Sequence, residues 1–300
     1  MKRTLLLAVF LTGLLAASPA LPHEILPVAP RFDVVFTLDA TGSMADEIEP
    51  VKEKIRELVA EIAAGTPTPD VRFGLVAYRD RGDEYVTRVF PLTRDIDDLV
   101  ASLDRIQAGG GGDGPESVNE ALHVALTRSG WDTAANTAKI LFLIGDAPPH
   151  LDYPQDYDFR QEARNASKSG ITIHPISCSG NTADGIGIFR EIASITGGEF
   201  EHLTYRREVQ TADGETRVIY DKGGAGYLAS AAMDEALMDG RGDVAELGKK
   251  SAPVPGRIIR QENNLSGLLI QKVKEEARKK GVRYEEDDST KDSSDEKEEE

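Results

Sequence analysis

Three short stretches of the sequence carry oxygen-bearing side chains directly after apolar runs or in a glycine-rich loop. The first is Asp39-Ala-Thr41-Gly-Ser43, and the second is Gly145-Asp146. The third is a run of glycines, 109–112, followed by Asp113 and, after Gly114-Pro115, by Glu116. Carboxylate and hydroxyl oxygens suit Mg²⁺, Mn²⁺ or Ca²⁺, and a ligand set without Cys or His is poor for Zn²⁺. The sequence therefore predicts a site for a hard divalent cation.

The position of the acids strengthens this prediction. An aspartate that ends a buried apolar strand is costly unless a cation or a metal lies beside it, and both Asp39 and Asp146 follow such strands. The glycine-rich run is not predicted to bind phosphate, because the Lys-Ser/Thr pair of a phosphate-binding loop does not follow it.

These side chains must be brought together by the elements that precede them. Apolar runs alternate with helical periodicity along the chain. The predicted strands are 33–38, 71–78, 85–90, 139–144, 171–177 and 199–203, and the predicted helices are 47–64, 95–106, 115–128, 159–169, 186–195 and 226–238. This order predicts a doubly wound α/β domain with a mostly parallel sheet, helices on both faces and one antiparallel edge strand at 85–90. Ligands of such sheets bind at the carboxyl ends of the strands, where the strand order reverses.

The chain is predicted to hold one folded domain over residues 31–240. Within it, Asp213-Gly214 predicts a second hairpin between 207–211 and 216–220. Residues 241–264, with Pro253-Val-Pro255, are predicted to be a linker before an amphipathic helix over 265–284. Residues 285–300 hold ten acids and no apolar side chain, which predicts a disordered acidic tail.

Composition restricts the location and the partners. Lys2 and Arg3 precede the apolar run 5–17, which is too short for a membrane span and predicts a signal peptide over residues 1–20. We therefore expect a secreted or periplasmic protein without a membrane span. Cys178 is the single cysteine and is predicted to be a buried strand thiol. A net charge of −17 argues against nucleic acid as a partner.

The first motif resembles that of a known family. Asp39-Ala-Thr41-Gly-Ser43 is similar to the DxSxS motif of the metal-ion-dependent adhesion site in von Willebrand factor A domains, with Thr41 keeping the hydroxyl of the first Ser. Asp146 matches the distal Asp of that site. The resemblance covers about residues 31–239. It implies a module for adhesion and protein–protein interaction, in which bound Mg²⁺ or Mn²⁺ captures a Glu or Asp carboxylate of a partner protein.

The glycine-rich loop narrows the resemblance. Asp113-Gly-Pro-Glu116 resembles the D-x-P-E of integrin β I-like and hemicentin-type A domains, with Glu116 where other members have Thr. Asp46 and Glu47 correspond to the acidic pair of a flanking metal in that group, where Ca²⁺ is the expected ion. Asp80 corresponds to a ligand of a second flanking metal, shared with Asp113 and Glu116.

Two further positions complete the comparison with that group. Gly111 departs from it, because an Asn ligand stands there in that group. Asp146-Ala-Pro-Pro-His150 resembles its D-A-x-x-H.

Coordination chemistry suggests a role for each residue of the main site. We expect Thr41, Ser43 and Glu116 to bind the ion directly, and Asp39 and Asp146 to act through water or to orient the ligands. One position would then remain for the partner carboxylate. The charge of Glu116 should hold the metal more tightly before a partner binds. The same charge should make the metal a weaker electrophile toward the partner carboxylate.

Other interpretations of the same residues stay open. Asp46 and Glu47 lie in the first turn of a predicted helix, where acids are favoured by the helix dipole alone, and Asp80 could cap a turn. The tripeptides Arg81–Asp83 and Arg241–Asp243 are predicted to be turns. The alternative functions are a metal-dependent hydrolase, for which His150 is the only candidate base, and a purely structural metal site. A haloacid-dehalogenase-like phosphoryl transfer is not expected, because Thr41 stands where the acid/base Asp is needed.

Overall fold

The computed structural model describes residues 29–45, 48–178, 180–238 and 244–284. The strands are β1 (Arg31–Asp39), β2 (Asp70–Tyr78), β3 (Thr87–Thr93), β4 (Thr137–Gly145), β5 (Ile171–Ser177), β6 (Glu201–His202), β7 (Thr204–Gln210), β8 (Thr216–Lys222), β9 (Ala225–Leu228), β10 (Lys249–Lys250) and β11 (Arg257–Asn263). The helices are α1 (Ile48–Ala63), α2 (Ile96–Asp104), α3 (Val118–Arg128), α4 (Phe159–Lys168), α5 (Ala183–Thr196), α6 (Ala231–Met238), α7 (Val244–Leu247) and α8 (Leu265–Lys279).

Six strands form the main sheet in the order β3-β2-β1-β4-β5-β6. All neighbours are parallel except β2 and β3, which are antiparallel. The central strands are apolar and buried on both faces, as expected of a parallel sheet that is covered by helices on both sides. The predicted doubly wound α/β fold and its antiparallel edge strand are confirmed.

The two faces of this sheet bury two separate apolar clusters. Residues of α1, α2 and α8 pack on one face, and residues of α3, α4 and α5 pack on the other. Three of the helices begin at a side chain that caps the first turn: Asp95 for α2, Asp158 for α4 and Thr182 for α5. Each cap satisfies one of the backbone amides that the first helical turn leaves free.

The predicted helix over 226–238 is wrong in its first part. Residues 225–228 form β9, and the helix begins only at Ala231. The missed signal is Gly223-Gly224, where both residues have positive φ, because a two-residue turn of this kind joins hairpin strands. β9 continues the predicted hairpin of β7 and β8 into a second, antiparallel sheet.

The predicted linker over 241–264 also contains structure. Residues 257–263 form β11, which pairs with β7 and gives the second sheet the order β10-β9-β8-β7-β11. Most of β11 is exposed, so its sequence lacks the apolar alternation that would have revealed a strand. The pairing comes from the backbone of a neighbouring strand that is distant in sequence.

The predicted amphipathic helix exists as α8, and it belongs to the core of the main sheet. Leu265, Leu269 and Val273 are buried in the same cluster as β1 and α1. Beyond the helix, Val282 and Tyr284 pack on Phe32 at the start of β1. The second sheet therefore lies, in sequence, between two parts of one packed unit, and how the chain divides into domains remains a prediction.

Some predictions lie outside the described residues: the signal peptide over 1–20, the flanking-site acids Asp46 and Glu47, and the acidic tail over 285–300. Among the helices that are described, none combines the length and the apolar character needed to cross a bilayer.

Truncating Leu269 should test whether α8 is part of the core. Leu269 is fully buried, so Leu269→Ala should lower the free energy of unfolding by about 2–5 kcal/mol, measured by urea denaturation. Gln271→Ala removes an exposed side chain of the same helix and should change it by less than about 0.5 kcal/mol. Equal, small effects would mean that α8 does not contribute to the core.

Candidate metal centre

The candidate site lies at the carboxyl ends of the central strands. Asp39 ends β1 and faces Tyr78 at the end of β2, and Asp146 directly follows β4. Since the chain leaves β1 toward β2 on one side and reaches β4 on the other, this is the point where the strand order reverses. The fold therefore brings two of the three predicted stretches together at the expected edge.

A tight turn presents the hydroxyls of the first stretch. Asp39 Oδ1 accepts hydrogen bonds from the Thr41 amide at 2.9 Å and from the Thr41 hydroxyl at 2.7 Å. A short 3-10 helix, Gly42–Met44, follows. The Gly42 amide donates to the Gly110 carbonyl at 3.0 Å, and a Cβ at Gly42 would lie 2.9 Å from that oxygen. The turn thus depends on glycine to dock on the glycine-rich loop.

The two hydroxyls of this turn lie close together. The Thr41 hydroxyl donates to Asp39 Oδ1 at 2.7 Å. Ser43 Oγ lies 3.0 Å from Thr41 Oγ1 and 3.1 Å from Asp146 Oδ1, and its single proton can be donated to either oxygen. The turn therefore gathers two hydroxyls and two carboxylates, all of them suitable ligands for a hard cation.

Glu116 enters the site from the third stretch. Its amide donates to the Pro148 carbonyl at 2.9 Å, and its carbonyl accepts from the His150 amide at 3.1 Å. This bridge fixes the glycine-rich loop beside the segment that follows Asp146. Gly111 has a φ of +72°, and a Cβ there would lie 2.9 Å from Glu116 Oε1. The glycine at position 111 therefore makes room for the Glu116 carboxylate.

Several polar atoms of the site are buried without a hydrogen bond to any described residue: Asp39 Oδ2, Glu116 Oε2 and the Tyr78 hydroxyl oxygen. Another acid of the same strand shows the usual solution. Asp33 is also buried, and the Arg72 guanidinium binds both of its oxygens at 2.8 and 2.7 Å. No guanidinium binds Asp39 within the described residues, so a cation from outside the chain would stabilise its charged form.

The pKa values of the buried acids show the cost of their unpaired charge. Burial and, to a smaller extent, the nearby charge of Asp146 together raise the pKa of Asp39 to about 7. Burial also raises the pKa of Glu116 to about 9, together with the charges of Asp39, Asp80 and other acids. A divalent cation would remove this penalty. The donor set, all oxygen with two buried orphan carboxylate atoms, fits a hard divalent ion.

Asp80 and Asp113, predicted to share a flanking metal with Glu116, lie beside His150. One ligand atom from each of the three side chains lies within 4.8 Å of the others. Asp80 is held by the Ser117 hydroxyl at 2.9 Å and by the Tyr153 hydroxyl at 2.7 Å. The prediction that Asp80 simply caps a turn is therefore incomplete, because its carboxylate is bound by residues far along the chain.

Asp83 was missed as a site residue. It ends the tripeptide Arg81–Asp83, which is a turn as predicted. Its Oδ2 accepts from the Asp80 amide at 3.0 Å and from the Gly111 amide at 2.9 Å. Asp83 thus ties the β2–β3 loop to the glycine-rich loop, and only the tertiary structure reveals that role.

The raised pKa values predict how the metal-free protein responds to pH. A carboxyl whose pKa is higher in the folded state binds protons more tightly there, so stability falls as pH rises from the unfolded pKa through the folded one. After treatment with EDTA, raising the pH from about 7 to 9 should lower the free energy of unfolding by about 2 kcal/mol. Mg²⁺ should restore the stability at pH 9.

Two variants make this measurement specific. Glu116→Gln should flatten the pH dependence between pH 7 and 9, because Glu116 is the acid with a pKa of about 9 and the neutral amide has no proton to lose, whereas Asp97→Asn changes an exposed acid of α2 and should leave it intact. Metal-free protein that is equally stable at pH 7 and 9 would contradict the electrostatic account.

Comparisons with known proteins agree with the geometry. A family profile described as von Willebrand factor A domain matches residues 33–204, more than half of the chain. Human von Willebrand factor A domain-containing protein 7 is 40% identical over 103 residues, covering 34% of this chain and 11% of that protein. Human hemicentin-1 is 26% identical over 170 residues, covering 57% of this chain and 3% of that protein. The chain thus matches only a small part of these relatives.

Among solved structures, the proximal thread matrix protein 1 of the mussel byssus, with a zinc-occupied MIDAS motif, is 18% identical. The match covers 58% of this chain and 42% of that one, with a TM-score of 0.46. The family assignment therefore depends on the match of residues 33–204. On that match, the chain belongs to the von Willebrand factor A domain family.

Proposed function

We propose that this chain is an interaction module, not an enzyme, that holds Mg²⁺ or Mn²⁺ and through it captures a Glu or Asp side chain of a partner protein. The proposed ligand set is Asp39, Thr41, Ser43, Glu116 and Asp146. The observation that carries the proposal is the meeting of the Thr41 and Ser43 hydroxyls, 3.0 Å apart, with two buried carboxylates, Asp39 and Glu116, each of which has an oxygen without a hydrogen bond to any described residue.

The spacing of these oxygens supports the choice of ion. Two ligands at right angles, each about 2.1 Å from Mg²⁺, are about 3.0 Å apart, the distance that separates Thr41 Oγ1 from Ser43 Oγ. Thr41, Ser43 and Glu116 would hold the ion directly. Asp39 and Asp146 would orient the two hydroxyls through the hydrogen bonds they already accept.

The site is open on one side. Thr41 is fully buried, but Ser43 is exposed. A cavity of about 440 Å³ lies over Ser43, between the glycine-rich loop and Asp146. It leaves room for a side chain of another protein. When bound, the ion would supply the charge that lets a partner carboxylate enter a site already lined by acids, so capture should depend strictly on the metal.

A hydrolase is supported less well. The only candidate base, His150, is buried, and its Nε2 lies toward Asp80 and Asp113. Its second nitrogen contacts Asp152, so the acids that its ring nitrogens face belong to a different group from Asp39, Thr41, Ser43 and Asp146. A purely structural metal would explain the buried acids but not the open side of the site. Turnover of phosphate esters or peptides with Mg²⁺ that is lost in Asp39→Ala would favour the enzyme instead.

Two parts of the proposal depend on sequence alone. We propose that residues 1–20 direct export, so that the module acts in a secreted or periplasmic setting and its partner is a protein and not nucleic acid. We also propose that Asp46 and Glu47 hold a flanking Ca²⁺. The apolar run of residues 5–17 supports the first proposal, and the resemblance of the Asp46-Glu47 pair supports the second.

A capture experiment tests the proposed function. The immobilised chain should retain a partner from the native extracellular or periplasmic fraction in Mg²⁺, and lose it in EDTA or with Asp39→Ala. Asp97→Asn, which changes an exposed acid far from the site, should behave like the wild type. Amidating the carboxyl groups of the fraction with carbodiimide and glycinamide should abolish capture, and acetylating its lysines should not.

The outcomes separate the alternatives. Equal recovery of the partner protein in Mg²⁺, in EDTA and with Asp39→Ala would rule out adhesion through this site. If chelation lowers the melting temperature while recovery is unchanged, the metal is structural. If capture needs the metal but survives amidation, the partner does not bind through a carboxylate.

The charge of Glu116 should set the affinity for the metal. Glu116→Gln keeps the shape of the side chain but removes one charge, and should weaken Mg²⁺ binding by about tenfold or more, since a contact between unit charges in a protein exceeds the roughly 1.4 kcal/mol that a factor of ten represents. Isothermal titration calorimetry measures this, with Asp97→Asn as control. Unchanged affinity would remove Glu116 from the ligand set.

A further inference from the structure

A second group of side chains converges near the proposed adhesion site. Asp80 comes from the β2–β3 loop, Asp113 from the glycine-rich loop and His150 from the loop after β4. His150 Nε2 lies 3.4 Å from Asp80 Oδ2 and 3.6 Å from Asp113 Oδ1. These side chains are distinct from the five proposed ligands of the adhesion site.

His150 is the independent indication of a ligand here. Its side chain is 2% exposed, and its Nε2 is buried without a hydrogen bond to any residue that the structure describes. The two carboxylate oxygens it faces are close, but neither contact has hydrogen-bond geometry. A buried imidazole nitrogen aimed between two acids is costly unless something positive lies among them.

The other ring nitrogen indicates which tautomer is present. His150 Nδ1 lies 2.8 Å from Asp152 Oδ1, and a carboxylate can only accept a hydrogen bond. Nδ1 therefore carries a proton, and in a neutral ring this leaves the lone pair at Nε2. A lone pair that faces two carboxylates is repulsive without a cation. A carboxylate–histidine pair of this kind is the usual outer support of an imidazole that binds a metal.

The remaining ligands are supported as well. The carboxylate of Asp80 accepts from the hydroxyls of Ser117 and Tyr153. The Tyr153 ring stacks on the His150 ring at 3.8 Å between centroids. The Arg81 guanidinium lies over the Tyr153 ring, 4.3 Å from its centroid. Asp113 is 62% exposed, so the group has one solvent-accessible acid and an open side. Two rigid ligands and one accessible ligand suit an ion that enters from solvent.

We propose that Asp80, Asp113 and His150 form a second metal site that takes a transition metal ion, Zn²⁺ above all, through one imidazole nitrogen and two carboxylates. Nitrogen ligands favour Zn²⁺ over Mg²⁺ and Ca²⁺, which prefer oxygen. Two ligand atoms about 2.0–2.1 Å from a tetrahedral Zn²⁺ are about 3.4 Å apart, close to the 3.4 and 3.6 Å of this group.

This site differs from the flanking site that the resemblance implied. That site would join Asp80 and Asp113 to Glu116 around an all-oxygen ion, with an Asn at position 111. Gly111 supplies no ligand, and His150 supplies a nitrogen in its place. The inference does not require the proposed partner binding, because the two sites are distinct in residues and in the class of ion.

Zinc titration of the intact chain tests the inference. In excess Mg²⁺, which occupies the adhesion site, the wild type should bind one Zn²⁺ by calorimetry. His150→Ala should weaken that binding by at least about tenfold, the lower bound for losing even an outer-shell partner. Asp39→Ala and His123→Ala should bind as the wild type does. His123 is a matched control, since its ring is also stacked on a tyrosine, Tyr157, but lies outside the group.

Each outcome decides the matter. Zinc binding that survives His150→Ala, or that disappears in Asp39→Ala, overturns the second site. Should His150→Ala fail to fold, Co²⁺ absorption of the wild type and of Asp152→Asn replaces it, because Asp152 is exposed. A visible Co²⁺ spectrum that weakens in Asp152→Asn supports imidazole ligation, and the absence of a spectrum in the wild type contradicts it. Loss of partner capture alone bears only on the first site.

Discussion

The candidate site is dominated by the negative charge of buried carboxylates at the carboxyl ends of the central strands, which no cationic side chain of the described residues neutralises. Asp39 and Glu116 are buried with carboxylate oxygens that find no hydrogen bond within the described residues. At the other end of β1, Asp33 is neutralised by Arg72. The contrast within one strand is that Asp33 is paired with a guanidinium and Asp39 is not, which supports the proposal that a cation binds at the Asp39 end. The same unpaired carboxylates that destabilise the metal-free protein would favour the binding of a cation.

Backbone and side-chain contacts together position these charges. Gly42 lets the first turn touch the glycine-rich loop, and Gly111 makes room for the carboxylate of Glu116. The Asp83 carboxylate links that loop to the end of β2. The candidate ligands thus come from the end of β1 and the turn after it, from the loop between α2 and α3 and from the residue after β4, and the site is open near Ser43.

Two chemically different ligand sets result from the same convergence of loops. Hydroxyls and carboxylates at the ends of β1 and β4 suit a hard ion that shares its shell with a partner. The group around His150 contains a nitrogen ligand with its own carboxylate support, which suits a softer ion. The glycine-rich loop contributes Glu116 to one set and Asp113 to the other.

The sequence by itself determined the strands of the main sheet and the first group of candidate ligands, because buried parallel strands are continuous apolar runs and their carboxyl ends must share one edge of the sheet. Asp39, Ser43 and Asp146 could be placed together on that basis. Only the tertiary structure decided that β11 joins the second sheet, that α8 packs on the main one and that His150 turns toward Asp80. Those contacts join segments far apart in the chain, and no local pattern of residues encodes which distant neighbour a strand, helix face or ring will meet.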